Sequence, residues 1–149
     1  MSRPLSEKFG TVTSADAYDY GYGEVRDFLS TPHTARSYDW VITNPPFRLA
    51  QDFIERALAV ARDGVAILAR TVFLESVGRY DGLFRDRPPT IFAQFTERVP
   101  MVKGRVDQKA STATGYAWFV WRYDIPREPS RLAWIPPCRK KLERPGDYR

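Results

Sequence analysis

The chain has 149 residues, of which 43% are hydrophobic and 14% are aromatic. This length and composition exclude intrinsic disorder and suffice for one domain with a hydrophobic core. The single cysteine, Cys138, excludes an intrachain disulfide and a cysteine zinc cluster, and no apolar run resembles a membrane span or a signal peptide. We therefore expect a cytoplasmic protein with no membrane partner.

The net charge of +5 is unevenly distributed along the chain. Residues 1–96 carry 11 basic and 12 acidic side chains, whereas residues 122–149 carry 8 basic and 4 acidic ones. Arginine outnumbers lysine by 18 to 5, and a guanidinium can bind a phosphate through two parallel hydrogen bonds. This charge is compatible with a solvated surface and equally with a polyanionic partner such as DNA or RNA.

The N-terminal part of the chain contains short elements separated by glycine and polar residues. Residues 2–9 have the pattern of a helix end that is stopped by Gly10. The β-branched run at 11–15 predicts a strand that ends at Asp16, and a brief second strand is predicted at 25–29.

The clearest unit is a strand, a helix and a second strand. An apolar strand at 38–43 leads into Asn-Pro-Pro-Phe at 44–47, and apolar residues recur at helical spacing over 49–61. Gly64 is expected to end the helix, and the continuous apolar run at 65–69 predicts a strand covered on both faces. This order implies a parallel pair with a right-handed crossover.

The following segment adds β structure. Residues 72–86 are weakly helical, and β-rich runs follow at 90–96 and 116–122. Two consecutive strands joined by a long connection predict an antiparallel pair at a sheet edge. The predicted fold class is therefore α/β, with a sheet that is mainly parallel and has an antiparallel edge.

The C-terminal part is basic and rich in proline. An apolar patch at 132–135 is the last one in the chain. Residues 138–149 are expected to form a basic tail, which leaves a single α/β domain at 1–137.

The turn at 44–47 carries the strongest chemical signal. It follows a strand of the predicted parallel sheet, and ligands of open α/β sheets bind beyond the carboxyl ends of the strands. Pro45 and Pro46 make a stiff, non-helical turn, because their φ angles are fixed and they lack N–H donors. The Asn44 side chain and the Pro45 carbonyl offer two acceptors, and Phe47 offers a flat apolar face. Such a set suits an exocyclic amine on a planar ring.

Residues 39–47 resemble the catalytic motif of amino-group methyltransferases that depend on S-adenosylmethionine. That motif is Asn/Asp-Pro-Pro-Tyr/Phe/Trp after an apolar strand. With the runs at 68–75 and 118–121, the chain looks most like small adenine-specific DNA methyltransferases of phage and prophage type. The resemblance covers most of residues 1–137 and is specific only at the motif.

The resemblance implies a Rossmann-like methyltransferase sheet with its catalytic residues at Asn44, Pro45, Pro46 and Phe47. Asn44 and Pro45 would orient the target amine, and Phe47 would stack on the base. Methyl transfer in this family is direct, from the sulfonium to nitrogen. A base in duplex DNA must first be flipped out of the stack.

The resemblance also implies a partial site for S-adenosylmethionine. Asp16 matches the position of an acidic residue on the ribose hydroxyls, although a turn or cap aspartate is an equal alternative. Asp27 matches the acceptor for the adenosine amino group. Phe28 matches the apolar residue that packs on the adenine ring, although core packing is nearly as strong an alternative.

The chain departs from the family pattern at its start. The family's first strand and its glycine-containing cofactor loop should precede the helix that ends near Phe9, and both are absent from the sequence. The strand ending at Asp16 and the strand ending at Thr43 would then flank a gap. They could pair directly, borrow a strand by self-association, or belong to a longer protein of which this chain is a truncated reading, and we favour the last. We expect weak binding of S-adenosylmethionine at most.

A DNA partner is expected from the charge and the resemblance together. Arg98, Lys103, Arg105 and Lys109 fall in the segment where these enzymes often approach DNA, although a solvated loop is equally plausible. His33 has no cysteine or acidic cluster at ligand spacing, so no metal site is expected.

Two alternative functions stay open at this point. One is an RNA or protein amino-group methyltransferase, because similar motifs serve those substrates. The other is a non-catalytic remnant that binds nucleic acid.

Overall fold

A computed structural model describes residues 1–101, 112–145 and 147. The chain divides into two compact units, Met1–His33 and Thr34–Arg149. The first unit contains a two-stranded sheet and the second contains a five-stranded sheet. The α/β content agrees with the prediction from the sequence.

The first unit is built from a helix, α1 (Ser2–Ser6), and two strands, β1 (Ala15–Asp16) and β2 (Glu24–Val25). The strands pair in parallel, and both are shorter than the predicted strands at 11–16 and 25–29. Gly23 permits their close approach. It has a φ of +83°, and a Cβ there would lie 2.6 Å from the Ser14 carbonyl oxygen.

The second unit is organised around a sheet of five strands: β3 (Tyr38–Thr43), β4 (Ala61–Arg70), β5 (Ile91–Phe95), β6 (Tyr116–Arg122) and β7 (Arg131–Ile135). Their order in space is β3–β4–β6–β5–β7. β3 is parallel to β4, and β5 is parallel to β7, whereas β6 is antiparallel to both of its neighbours. Four strands therefore share one direction and β6 opposes them.

The described helical segments of the second unit are mostly short. They are α2 (Ala50–Val60), α3 (Val77–Arg79), α4 (Arg139–Leu142), 3-10 turns at Phe47–Leu49 and Thr71–Leu74, and a π turn at Tyr80–Phe84. Only α2 has several turns, and it buries the side chains that repeat along one face: Ala50, Ile54, Ala57 and Val60. The weakly helical pattern at 72–86 thus corresponds to three short pieces.

The strand–helix–strand unit confirms the prediction of a parallel pair. β3 has the predicted bounds, and the apolar residues at 65–69 are all buried, as expected for a strand covered on both faces. The predicted end of the helix at Gly64 is wrong. α2 ends at Val60, and Gly64 lies inside β4. Its conformation is set by strand pairing with β3 and β6 rather than by the tendency of glycine to end a helix.

The antiparallel pair of β5 and β6 confirms another prediction, but its place in the sheet differs. β6 lies between β4 and β5 in the middle of the sheet, and the edge beyond β5 is formed by β7, which is parallel to it. The antiparallel strand is therefore internal. The alternating burial of its residues shows that one face of β6 is buried and the other is only partly covered.

Direct pairing of the strands ending at Asp16 and Thr43, one of the three alternatives, is not found among the described residues. β1 pairs with β2, and β3 is the outer strand of the five-stranded sheet. Its second edge has no strand partner in the described part of the chain.

Aromatic rings form much of the core between the sheet and the segment after β4. Phe73 and Phe119 are fully buried, with ring centroids 5.6 Å apart in an edge-to-face arrangement. Trp121 is buried as well, and its indole N–H donates to the Arg87 carbonyl at 3.0 Å. The buried Thr90 hydroxyl is also satisfied, because it donates to the Val120 carbonyl.

Gly64 is expected to be intolerant of a side chain. A Cβ at this position would lie 2.6 Å from the Trp40 ring and 2.7 Å from the Trp121 carbonyl oxygen. We expect Gly64→Ala to destabilise the fold by about 1–3 kcal/mol through overpacking, measured by urea unfolding. Gly78→Ala is the control, since its nearest neighbour would lie at 3.9 Å. Equal stability of the two variants would contradict this account of the sheet.

Candidate functional site

The carboxyl ends of the four codirectional strands meet at one edge of the five-stranded sheet. β3 ends there at Thr43 and is followed directly by the NPPF turn, which we define as Asn44, Pro45, Pro46 and Phe47. Ligands of open α/β sheets bind beyond this edge. The strand–helix–strand unit thus presents the turn at the position where a ligand site is expected.

The polar groups of the NPPF turn are available to a ligand. Asn44 is exposed, and its side chain has no hydrogen-bond partner among the described residues. Pro45 is buried and anchors the turn. Pro46 has an extended backbone (φ −55°, ψ 134°), and its carbonyl accepts a hydrogen bond from the Leu49 N–H at 2.9 Å. The rigid turn therefore holds the Asn44 amide outward.

The ring of Phe47 is 39% exposed, and the guanidiniums of two arginines lie over it. The guanidinium carbons of Arg70 and Arg79 both lie 5.4 Å from its centroid. Arg79 also lies 4.5 Å from the centroid of Phe73 and donates to the Phe73 carbonyl at 3.0 Å. Neither arginine was among the candidates from the sequence. The only local signal was that Arg70 is the first charged residue after the apolar run of β4.

A cavity of about 490 Å³ adjoins the ring of Phe47. It is lined by Phe47, Arg48, Gln51, Phe73, Ser76, Gly78 and Arg79. Gln51 donates a hydrogen bond to the carboxylate of Glu55, but Glu55 itself does not line the cavity. The lining therefore combines two aromatic rings, two arginines and small or neutral polar residues, and it contains no carboxylate.

The structure places one of the four predicted nucleic-acid residues at the same sheet edge. Arg98 follows β5, and its Nη1 donates to the Ala113 carbonyl at 2.6 Å. It is also 3.7 Å from the position of a Cβ on Gly115, whose carbonyl accepts from the Thr71 N–H just after β4. The other three, Lys103, Arg105 and Lys109, lie outside the described residues.

The predicted cofactor residues lie together in the first unit. Asp16 ends β1 and Asp27 follows β2, so both stand at the same end of the parallel pair. Each is exposed and accepts a hydrogen bond from the backbone two residues later, at 3.0 Å, as a turn aspartate does. Phe28 is half-buried, with its ring centroid 5.0 Å from that of His33. The turn role of Asp16 and a ligand role are compatible, since each carboxylate has two oxygens.

Glu97 fixes the start of the C-terminal segment. Its Oε1 accepts from the backbone N–H groups of Cys138 and Arg139, both at 2.7 Å, at the N-terminus of α4. These two hydrogen bonds lower the pKa of the Glu97 carboxyl. Burial raises the pKa of the Cys138 thiol, and the neighbouring Glu97 charge adds to that effect. The basic tail therefore begins with a short helix held against the end of β5.

The described residues contain no helix long and apolar enough to cross a membrane. Within the same part of the chain, no group of three or more histidine, cysteine, aspartate or glutamate side chains could hold a metal ion.

No protein-family model matches the chain, and no curated protein or solved structure matches it either.

The contacts of Glu97 predict a pH-dependent contribution to stability. Because the pKa of the folded state is lowered, this contribution is present above the ordinary value of 4.5 and is lost as the pH falls through the lower folded value. Glu97→Gln should therefore lower the melting temperature slightly at pH 7, and the difference from the parent should shrink towards pH 3.5. Thermal unfolding over this range is the measurement. A constant difference would contradict the role of the charge.

Proposed function

We propose that the chain is a DNA adenine-N6 methyltransferase-like protein, which transfers a methyl group from S-adenosylmethionine to an exocyclic amine. The observation that carries the proposal is the availability of Asn44 beyond the carboxyl end of β3, with no intramolecular partner in the described residues. The resemblance of residues 39–47 to the amino-group methyltransferase motif supports the reaction class.

The NPPF turn has the groups that such a reaction needs. An amine that donates one N–H to Asn44 Oδ1 and the other to the Pro45 carbonyl is held with its lone pair directed away from both acceptors. The Pro45 carbonyl accepts no hydrogen bond among the described residues. Since the prolines fix the turn, little reorganisation is needed when the amine binds. The exposed ring of Phe47 offers a stacking face for the base.

The sheet supports the proposed family. A parallel β3–α2–β4 unit delivers the turn, and the remaining strands extend the sheet with a single opposed strand, β6. This arrangement is in accord with the Rossmann-like sheet that the resemblance implies.

S-adenosylmethionine, when bound, supplies the methyl group from its sulfonium. The first unit has acceptors that fit the nucleoside half of this cofactor, because two exposed carboxylates stand at the same end of adjacent parallel strands. Asp16 would accept from the ribose hydroxyls and Asp27 from the adenosine amino group. Phe28 would pack on the adenine ring.

The polyanionic partner is proposed to be DNA. Arg98 lies at the sheet edge that carries the NPPF turn, and we assign it to phosphate binding together with Lys103, Arg105 and Lys109. Tighter binding of RNA than of DNA of the same sequence would instead favour an RNA methyltransferase. Binding without methyl transfer would favour a non-catalytic nucleic-acid-binding protein.

Asn44→Ala is expected to reduce methyl transfer by about 100-fold or more, because the amine loses one of the two acceptors that position it. Phe47→Ala should weaken binding of the target base by about 1–3 kcal/mol through lost stacking. The assay is tritium transfer from millimolar labelled S-adenosylmethionine to adenine-containing DNA, with the full chain.

The matched control for this assay is Asn44→Asp, which keeps an oxygen acceptor at the same position and should retain part of the activity. Circular dichroism should show that both variants fold, since Asn44 is exposed. Undiminished transfer by Asn44→Ala would remove the turn from the reaction.

A further inference from the structure

We propose that Arg70 and Arg79 bind the backbone phosphate of the nucleotide whose base stacks on Phe47. This inference rests on the proposed function and names its substrate class: a base within a phosphodiester chain, rather than an amide side chain of a protein. It starts from the two guanidiniums, each 5.4 Å from the centroid of the Phe47 ring.

The first support is that the positive charges of Arg70 and Arg79 are not paired with a carboxylate in the described residues. The ion pairs of the described residues use other arginines, such as Arg62 with Asp39 and Arg85 with Asp81. No carboxylate in the described part of the chain pairs with Arg70 or Arg79. Arg48 lines the same cavity and likewise has no acidic partner there. Arg48 and Arg79 line the cavity, and the Arg70 guanidinium lies over the ring of Phe47, which also lines it. Their positive charges attract an anionic group of a ligand.

The second support is the number of unused donors. A guanidinium has five N–H donors in a planar fork, and the fork matches the oxygens of a phosphate. One nitrogen of Arg79, Nη1, donates a hydrogen bond to the Phe73 carbonyl, and the guanidinium lies against the Phe73 ring. Arg70 is exposed and makes no hydrogen bond through its side chain in the described residues. The pair thus combines an anchored guanidinium, that of Arg79, with one whose donors are all unused in the described residues.

The third support is position. Arg70 is the last residue of β4, and the NPPF turn follows β3, its parallel neighbour in the sheet. The Arg70 guanidinium and the stacking ring are therefore presented at the ends of adjacent strands, and Arg79 reaches the ring from α3. A phosphate is joined to its base through a single sugar, so a base on Phe47 brings its own phosphate to this rim. The neutral amide of a glutamine side chain brings no anion there.

The deciding experiment measures the binding of a fluorescent 12-residue oligodeoxyadenylate by anisotropy over a series of salt concentrations. Each lost phosphate contact on a single strand reduces the slope of log K against log salt by about 0.7. We expect that reduction for Arg70→Gln. Arg85→Gln is the matched control. The guanidinium carbon of Arg85 also lies over an aromatic ring, 5.2 Å from the Tyr80 centroid, but Arg85 forms an ion pair with Asp81. The salt dependence of the Arg85→Gln variant should therefore have the same slope as that of the parent chain.

Two further variants separate a phosphate contact from a packing role. Arg70→Lys keeps the charge and should keep the slope while it loses affinity, since the bidentate fork is gone. Arg79→Gln should reduce the slope as Arg70→Gln does. Its melting temperature is measured in parallel, because Arg79 also contacts Phe73.

The inference is overturned if the parent chain does not bind the oligonucleotide, if Arg70→Gln has the parental slope, or if the Arg85→Gln slope falls equally. These readouts need no methyl transfer. Failure of the Asn44→Ala assay with the slope change intact would reject only the enzymatic proposal. Loss of transfer in Asn44→Ala with an unchanged Arg70→Gln slope would reject only the phosphate contact.

Discussion

Strand β4 is hydrogen-bonded in parallel to β3 on one side and in antiparallel fashion to β6 on the other, and it is buried on both faces over residues 65–69. Because the crossover through α2 must return the chain beside β3, the end of β3 is forced to the same sheet edge as the end of β4. The close contact of Trp40 and the Trp121 carbonyl around Gly64 fixes this packing. The NPPF turn and Arg70 are brought together by this one arrangement.

The proposed chemistry depends on polar groups of the NPPF turn that form no hydrogen bond within the described residues. Two prolines remove N–H donors and hold the chain extended before the first turn of helix, so the Asn44 amide projects without a partner in the described residues. The same sheet edge carries guanidiniums around an exposed aromatic ring. Acceptors for an amine, a stacking face and positive charge are the groups on which the proposed nucleotide site rests.

The hydrophobic periodicity of the sequence predicted the elements that bury one face or both, namely the strands and the main helix around the NPPF turn. The apolar run at 38–43 and the helical spacing after it predicted β3 and α2, because each reflects one buried face. The end of α2 was missed, since Gly64 pairs within β4 and tertiary ladders decide its conformation. The central place of β6 and the approach of Arg70 and Arg79 to Phe47 depend on contacts between distant residues, which no local periodicity encodes.

The most direct test of the central claim is the product formed in cells. The chain is expressed in a bacterial host that lacks adenine methylation, and the digested DNA is examined by nucleoside mass spectrometry. The account predicts N6-methyldeoxyadenosine with the parent chain and its absence with Asn44→Ala at equal protein level. Methyldeoxyadenosine at the same level with both chains would contradict the assignment of the NPPF turn as an amine methylation site.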